Sequence, residues 1–137
     1  AVAPELQGTT LDGKEWKLSD EKGTPVLLVF WATWCAPCKA EIPLLKNLWK
    51  EYGDGGKLRM VGLNLDRDIK TAAKFAAAQE MAWPQCHIGG FSEDNPATTA
   101  YGVSYIPSCW LVDASGNVVE AKIAADALES VLERHLK

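Results

Sequence analysis

The sequence lacks the features that mark several large classes of protein. Its longest run of apolar side chains, residues 26–32, has seven residues, whereas a helix that crosses a bilayer needs roughly 18. The 14 Lys and Arg residues are outnumbered by 18 Asp and Glu, which gives a net charge of −4, and they form no cluster. Binding to a phosphate backbone requires clustered cations. Neither a membrane-spanning helix nor binding to nucleic acid is therefore expected.

Cysteine is also scarce, with four residues in a chain of 137. That is too few for a small domain held together by disulfides, and a chain of this length can build its own core. The apolar fraction of 47% is ordinary for a globular protein, and no repeat, linker or charge block divides the chain. We therefore expect one globular domain spanning residues 1–137.

Hydrophobic periodicity predicts alternating strands and helices. The predicted strands are 6–11, 15–18, 26–30, 58–65, 85–88, 108–112 and 118–123. The predicted helices are 35–52, 69–81, 96–101 and 125–136. Pro43 falls inside the first helix and predicts a kink there, because proline removes one helix hydrogen bond. This order of elements predicts an α/β protein with a mixed sheet flanked by helices.

Cys35 and Cys38 form a C-x-x-C motif between a buried strand and a helix. A thiolate at a helix N-terminus meets unpaired backbone N–H groups and the positive end of the helix dipole, which lowers its pKa below about 8.5. One helical turn separates the two residues, so their sulfurs come within bonding reach. We expect Cys35 to be the exposed nucleophile and Cys38 to resolve the mixed disulfide. Pro37 stiffens the first turn without costing a hydrogen bond.

Two other interpretations of this motif remain open. A C-x-x-C can supply half of a zinc site, but a tetrahedral site usually needs a second pair at comparable spacing. No such spacing occurs among the remaining candidates, Cys86, His87, Cys109 and His135. A purely structural disulfide is the other interpretation. Redox chemistry is favoured, with no metal and no cofactor other than the Cys35–Cys38 disulfide itself.

Four segments together resemble one family. Residues 30–43 read FWATWCAPCKAEIP, and residues 101–108 read YGVSYIPS. Residues 111–116 read LVDASG, and residues 3–23 hold an Ala-Pro, a Leu-Asp-Gly and a Leu-Ser-Asp in the same order as the family. The chain resembles the TlpA/ResA-type thioredoxin-like proteins, which are related to the AhpC/TSA redoxins, over nearly its whole length.

The resemblance implies a thioredoxin fold with an N-terminal β-hairpin and a central insertion. It also implies a cis peptide bond between Ile106 and Pro107, whose backbone would pair with an incoming substrate strand. Trp34 would shield the site and contact substrates, the alternative being plain packing. The residues expected to form the substrate groove are Trp34, Ala36, Pro37, Ile106 and Pro107.

The acid/base partner of the thiols is harder to predict. Thioredoxins carry a buried Asp six residues before the first cysteine, where this sequence has Val29. Some ResA-like proteins place a Glu after the next strand, but that position falls nearest Arg67 here. Asp66 is a candidate, with capping or acceptance from the Trp31 indole as its structural alternative. Glu41 matches the Glu-x-Pro of the family and could steer charge at the thiols, although a solvated helix-face Glu is equally expected.

Cys86 and Cys109 stand apart from the motif. In this fold Cys86 would lie toward one sheet edge and Cys109 near the centre, so a disulfide between them is not expected. Both are expected to be buried thiols that behave as small hydrophobic side chains. An accessory redox role for Cys109 and a metal-binding role for His87 are minor alternatives.

The resemblance implies a thiol-disulfide oxidoreductase that reduces protein disulfides outside the cytoplasm, and we expect the protein to be a monomer. Its electrons would come from another dithiol protein, in this family often a membrane reductase. The chain begins with Ala1, as expected if a leader or membrane anchor was removed from a periplasmic protein. A thiol oxidase or isomerase and a non-catalytic binding module are the alternatives. Apocytochrome c, a copper-assembly protein and scrambled disulfides all fit as substrates.

Overall fold

The computed structural model describes residues 1–136 and places seven strands in one mixed sheet. The strands are β1 (Gln7–Thr10), β2 (Glu15–Lys17), β3 (Val26–Trp31), β4 (Arg59–Asn64), β5 (Gln85–His87), β6 (Ser108–Val112) and β7 (Val118–Ile123). Their order across the sheet is β2-β1-β5-β4-β3-β6-β7. The α-helices are α1 (Ala36–Ala40), α2 (Ile42–Leu48), α3 (Ile69–Ala78), α4 (Pro96–Tyr101) and α5 (Leu128–Leu136). This arrangement confirms the predicted α/β class.

The central strand β3 positions the candidate site. All six of its residues are buried, as expected of a continuous apolar run covered on both faces. It pairs in parallel with β4 and antiparallel with β6. The carboxyl ends of β3 and β4 and the amino end of β6 therefore meet at one edge of the sheet. The C-x-x-C motif follows β3 at this edge.

The predicted first helix is wrong in one respect, because it is broken rather than kinked. Helix α1 ends at Ala40, α2 begins at Ile42, and Pro43 lies in the first turn of α2. Proline has no N–H to donate and its ring clashes with the preceding turn, which disfavours a continuous helix here, and Glu41 separates α1 from α2. A π-helical turn, Trp49–Gly53, then completes the segment. The break turns Glu41 inward, where it is only 7% exposed.

Cys86 lies further from the sheet edge than predicted, because the N-terminal hairpin extends the sheet beyond β5. Strand β1 pairs antiparallel with β5, so two further strands lie between β5 and the sheet edge. Cys86 on β5 and Cys109 on β6 pack in different clusters of the core. Both thiols are free and buried, which confirms that they are not paired with each other.

No helix within residues 1–136 combines the length and apolar character that crossing a membrane would require.

Candidate active site

Cys35 and Cys38 are joined by a disulfide at the start of α1, with their Cα atoms 5.3 Å apart. Cys35 is the N-cap residue of the helix, and its Sγ accepts the backbone N–H of Cys38 at 3.2 Å. The expectation that Cys35 is exposed is wrong for the oxidised protein, since this residue is only 5% exposed. Its Sγ lies 3.7 Å from the carbonyl oxygen of Ile106, whose loop covers it.

The loop that covers Cys35 carries a cis peptide bond between Ile106 and Pro107, as the resemblance implies. Two large aromatic side chains flank this loop and the disulfide on the surface. Trp34 is 59% exposed and Tyr105 is 58% exposed. Ala36 and Pro37 form the first turn of α1, between the two cysteines. The candidate groove residues therefore come together around the disulfide.

The Asp66 carboxylate holds the segment that leads into the motif. Its Oδ2 accepts the Thr33 backbone N–H at 3.1 Å, and its Oδ1 accepts the Thr33 hydroxyl at 2.8 Å. The Asn64 side-chain amide donates to Oδ2 at 2.8 Å, while the Asp66 backbone N–H donates to Asn64 Oδ1 at 3.0 Å. Asp66 is 4% exposed. Its contacts fix the approach to Cys35 and do not include the cysteines.

The alternative in which Asp66 accepts a hydrogen bond from the Trp31 indole is wrong. The Trp31 Nε1–H donates to the side-chain oxygen of Gln85 at 2.8 Å. Gln85 lies opposite Gly62 in the β4–β5 pairing, and a Cβ on Gly62 would fall within 2.0 Å of that same oxygen. Glycine at this position thus makes room for the side chain that satisfies the indole.

Replacing Asp66 with alanine is expected to lower the free energy of unfolding by about 2 kcal/mol, because it leaves buried donors of Thr33 and Asn64 unpaired. Asp66→Asn keeps one acceptor oxygen and is expected to cost about half as much. Asp68→Ala is the control, since it removes an exposed cap of α3 at a cost of about 1 kcal/mol. Urea unfolding measures all three, and equal losses for the alanine and asparagine variants would contradict the assigned contacts.

Glu41 is buried beside the cis-proline loop. The alternative of a solvated helix-face Glu is wrong, because the broken helix turns the side chain into the protein. Its Oε2 has no hydrogen-bond partner among residues 1–136, and burial raises the pKa of its carboxyl to about 7. Glu41 lines a cavity of about 240 Å³ with Tyr105, Pro107, Ser108 and Lys122. A carboxyl with this pKa can give or accept a proton near neutral pH.

The two free thiols are suited to packing. Burial raises the pKa of Cys86 to about 12. Burial, followed by the nearby charge of Glu41, also raises the pKa of Cys109. Neither is a thiolate at neutral pH, so neither is an effective nucleophile. His87 next to Cys86 is engaged elsewhere, with its Nε2 at 2.7 Å from the Asp66 carbonyl oxygen.

Sequence reasoning missed two contributors to this region. The Gln85 side chain accepts the hydrogen bond of the Trp31 indole, 54 residues away in the sequence. Phe91 stacks on Trp34 with ring centroids 6.3 Å apart. Phe91 lies in the loop between β5 and α4, which has no hydrophobic periodicity. No local signal links either residue to the motif, because both contacts arise only when the sheet forms.

Comparison with known proteins identifies the family. The AhpC/TSA family matches residues 1–121 of the chain. The chain belongs to the AhpC/TSA family. Within it, the chain is 32% identical over 135 residues to the thiol-disulfide oxidoreductase ResA of Bacillus anthracis, which covers 98% of this chain and 75% of that protein. It is 34% identical over 125 residues to the thioredoxin-like protein YneN of Bacillus subtilis, with 88% and 69% covered.

Solved structures agree with this family assignment and confirm the predicted thioredoxin fold. The thioredoxin domain of a thiol-disulfide oxidoreductase from Bacteroides vulgatus superimposes with a TM-score of 0.87 at 27% identity, covering 100% of this chain and 96% of that one. A thiol-disulfide oxidoreductase from Bacteroides fragilis gives a TM-score of 0.88 at 27% identity, with 99% and 100% covered. This member of the family is a thiol-disulfide oxidoreductase with a Cys35–Cys38 disulfide.

Proposed function

We propose that the protein reduces disulfides of other proteins outside the cytoplasm. In the dithiol form the Cys35 thiolate attacks a substrate disulfide, which forms a mixed disulfide and releases one substrate thiolate that takes a proton from water. Cys38 then attacks the Cys35 sulfur and releases the second substrate thiol. The substrate gains two electrons and two protons, and the protein is left with the Cys35–Cys38 disulfide.

The position of Cys35 at the start of α1 is the observation that carries this proposal. The helix N-terminus stabilises a thiolate there, and Cys38 lies one turn behind it. The Ile106 carbonyl beside Cys35 offers a backbone edge on which a substrate strand can align. We assign substrate alignment to the groove formed by Trp34, Ala36, Pro37, Ile106 and Pro107.

We assign the acid/base role to Glu41 rather than Asp66. The Glu41 carboxyl is buried at the cis-proline loop with a pKa of about 7, which suits it to take the proton of Cys38 as that thiol attacks. The Asp66 carboxylate is occupied by donors from Thr33 and Asn64. Asp66 is therefore a positioning residue for the segment before Cys35.

The resemblance to TlpA/ResA-type proteins supports the location and the partners. Members of that group work outside the cytoplasm, and another dithiol protein reduces them. A membrane reductase is accordingly the proposed electron donor, with protein disulfides such as those of apocytochrome c as the substrate class. The proposed working form is a monomer, and the disulfide is the only redox group required.

Two measurements test the proposed direction. The reduced protein is expected to reduce insulin disulfides with dithiothreitol at least tenfold faster than Cys35→Ser, and equal rates would favour a binding module. The potential measured against glutathione is expected near that of thioredoxin, about −270 mV. A value near about −120 mV, typical of a strong oxidant, would instead indicate a thiol oxidase.

A further inference from the structure

The loop between β5 and α4 places a second aromatic ring against Trp34, the residue before Cys35. Phe91 and Trp34 stack with an angle of 15° between their ring planes. Phe91 thus covers part of the indole, yet Trp34 remains 59% exposed. Exposed aromatic surface of this kind is typical of sites that bind protein segments.

The loop that carries Phe91 is fixed by one buried side chain. The Asn95 amide donates to the three carbonyls of residues 88–90 at 3.0, 3.2 and 3.0 Å. Its Oδ1 accepts the backbone N–H groups of Ala97 and Thr98 at 2.9 and 3.1 Å. Asn95 thereby ties the end of β5 to the start of α4. Phe91 is held in place before any partner binds, which reduces the entropy lost on binding.

A cavity of about 510 Å³ adjoins Phe91. Phe91 and Val103 form its apolar part. Thr98, Thr99 and Ser104 add hydroxyl-bearing side chains, and Glu93 adds a carboxylate. The described lining includes no Lys or Arg to neutralise Glu93. The cavity is therefore suited to an apolar side chain with a cation next to it.

The cavity lies close along the chain to the backbone edge beside Cys35. Val103 and Ser104 line it, and the chain runs from them through Tyr105 to Ile106, whose carbonyl lies 3.7 Å from Cys35 Sγ. An extended strand advances about 3.3 Å per residue. A strand aligned at Ile106 would therefore bring a residue roughly two to four positions from its attacked cysteine to the cavity.

We propose that Phe91 and Glu93 select the protein segment that flanks the attacked cysteine of the substrate. Phe91 and Val103 pack against an apolar side chain of that segment, and Glu93 favours a neighbouring Lys or Arg. Phe91 and Glu93 act as specificity-determining residues, and the disulfide chemistry is unchanged. This inference rests on the proposed function, because the segment is aligned at Ile106 only when its cysteine reacts with Cys35.

Disulfide-containing peptides test the selection directly. Three peptides differ only at two adjacent positions near the reactive cysteine, where they carry Leu-Lys, Leu-Glu or Ser-Ser. The second-order rate constant for reduction of each peptide by the reduced protein is measured at low salt. We expect the Leu-Lys peptide to react about 2- to 5-fold faster than the Leu-Glu peptide, because one exposed ion pair contributes an effect of this size. High salt should reduce this ratio of rates, because it screens the ion pair. Both Leu peptides should lose most of their advantage over Ser-Ser in Phe91→Ala.

Charge variants separate the local effect of Glu93 from that of net charge. Glu93→Lys is expected to invert the ratio of Leu-Lys to Leu-Glu. Glu15→Lys makes the same change of charge at an exposed residue of the edge strand β2 and should leave the ratio unchanged. An equal effect of the two variants would overturn the proposal, as would equal rates for all three peptides with the wild-type protein.

The two failures are distinguishable. Equal reduction of all peptides would leave the reductase function intact and reject the selection, whereas failure to reduce either the peptides or insulin would reject the proposed function itself. Phe91→Leu keeps an apolar side chain and should retain the preference for Leu. The exposed Glu93→Lys change does not depend on the packing of Phe91, so it decides the outcome if Phe91→Ala fails to fold.

Discussion

Replacing Cys38 with serine is expected to stop turnover and leave the protein covalently bound to its substrates. Cys35 can still attack a disulfide, but serine cannot displace the sulfur of the mixed disulfide. Non-reducing electrophoresis and mass spectrometry should therefore detect an adduct on Cys35. Insulin reduction is expected to fall to the rate of the uncatalysed reaction.

Two control variants test whether the adduct forms specifically on Cys35. Cys35→Ser should form no adduct, since Cys38 lies inside α1 and lacks the N-cap position that stabilises a thiolate at Cys35. Cys109→Ser makes the same replacement at a buried free thiol and should leave turnover within about twofold. An adduct on Cys38, or turnover of the Cys38→Ser variant above a tenth of the wild-type rate, would reverse the assigned roles.

Replacing Glu41 with glutamine is expected to remove a pH-dependent loss of stability. Below about pH 4.5 the carboxyl is protonated in both the folded and the unfolded protein and contributes nothing. As pH rises from 4.5 to 7, the unfolded chain releases this proton, while the folded protein keeps it because its pKa is about 7. The free energy of unfolding should therefore fall by about 3 kcal/mol across this window and level off above it.

Urea unfolding of the oxidised protein at pH 4.5 and 7.5 measures this effect. At the higher pH the free energy of unfolding of Glu41→Gln should increase relative to that of the wild type. Glu133→Gln, at an exposed position of α5, should show no such increase. If both variants follow the wild-type pH dependence, the Glu41 carboxyl does not retain its proton on folding.

The same substitution tests the proposed acid/base role. Glutamine cannot take the proton of Cys38, so resolution of the mixed disulfide should slow by roughly 100-fold near neutral pH. The attack of Cys35 on the substrate should change little. Stopped-flow measurement of the two phases separates them, and equal slowing of both would indicate a structural effect of the substitution.

Sequence signals predicted the elements whose causes are local. The bounds of α4 and of β6 and β7 match the prediction, because proline, glycine and apolar runs mark their ends. The end of α3 does not, since the helix stops at Ala78 before the apolar pattern ends. There Glu80 adopts a left-handed backbone conformation, with φ of 54°.

The site was harder to predict wherever a contact joins distant parts of the chain. The motif itself identified the disulfide. The burial of Cys35 depends on a carbonyl group 71 residues away in the sequence. The environment of Glu41 depends on a helix break, and residue spacing alone does not predict which way that break turns the side chain. Asp66 faces Thr33 across 33 residues, so its partners follow from the pairing of β3 with β4.

The short strand β2 has a consequence for how copies of the protein meet. It forms one margin of the sheet, has three residues, and carries Glu15 and Lys17 on either side of the inward-facing Trp16. An edge strand of three residues with charges of both signs offers few backbone N–H and C=O groups with which a strand of a second molecule could pair. The hairpin thus ends this side of the sheet in a form that resists pairing with a strand of a second molecule.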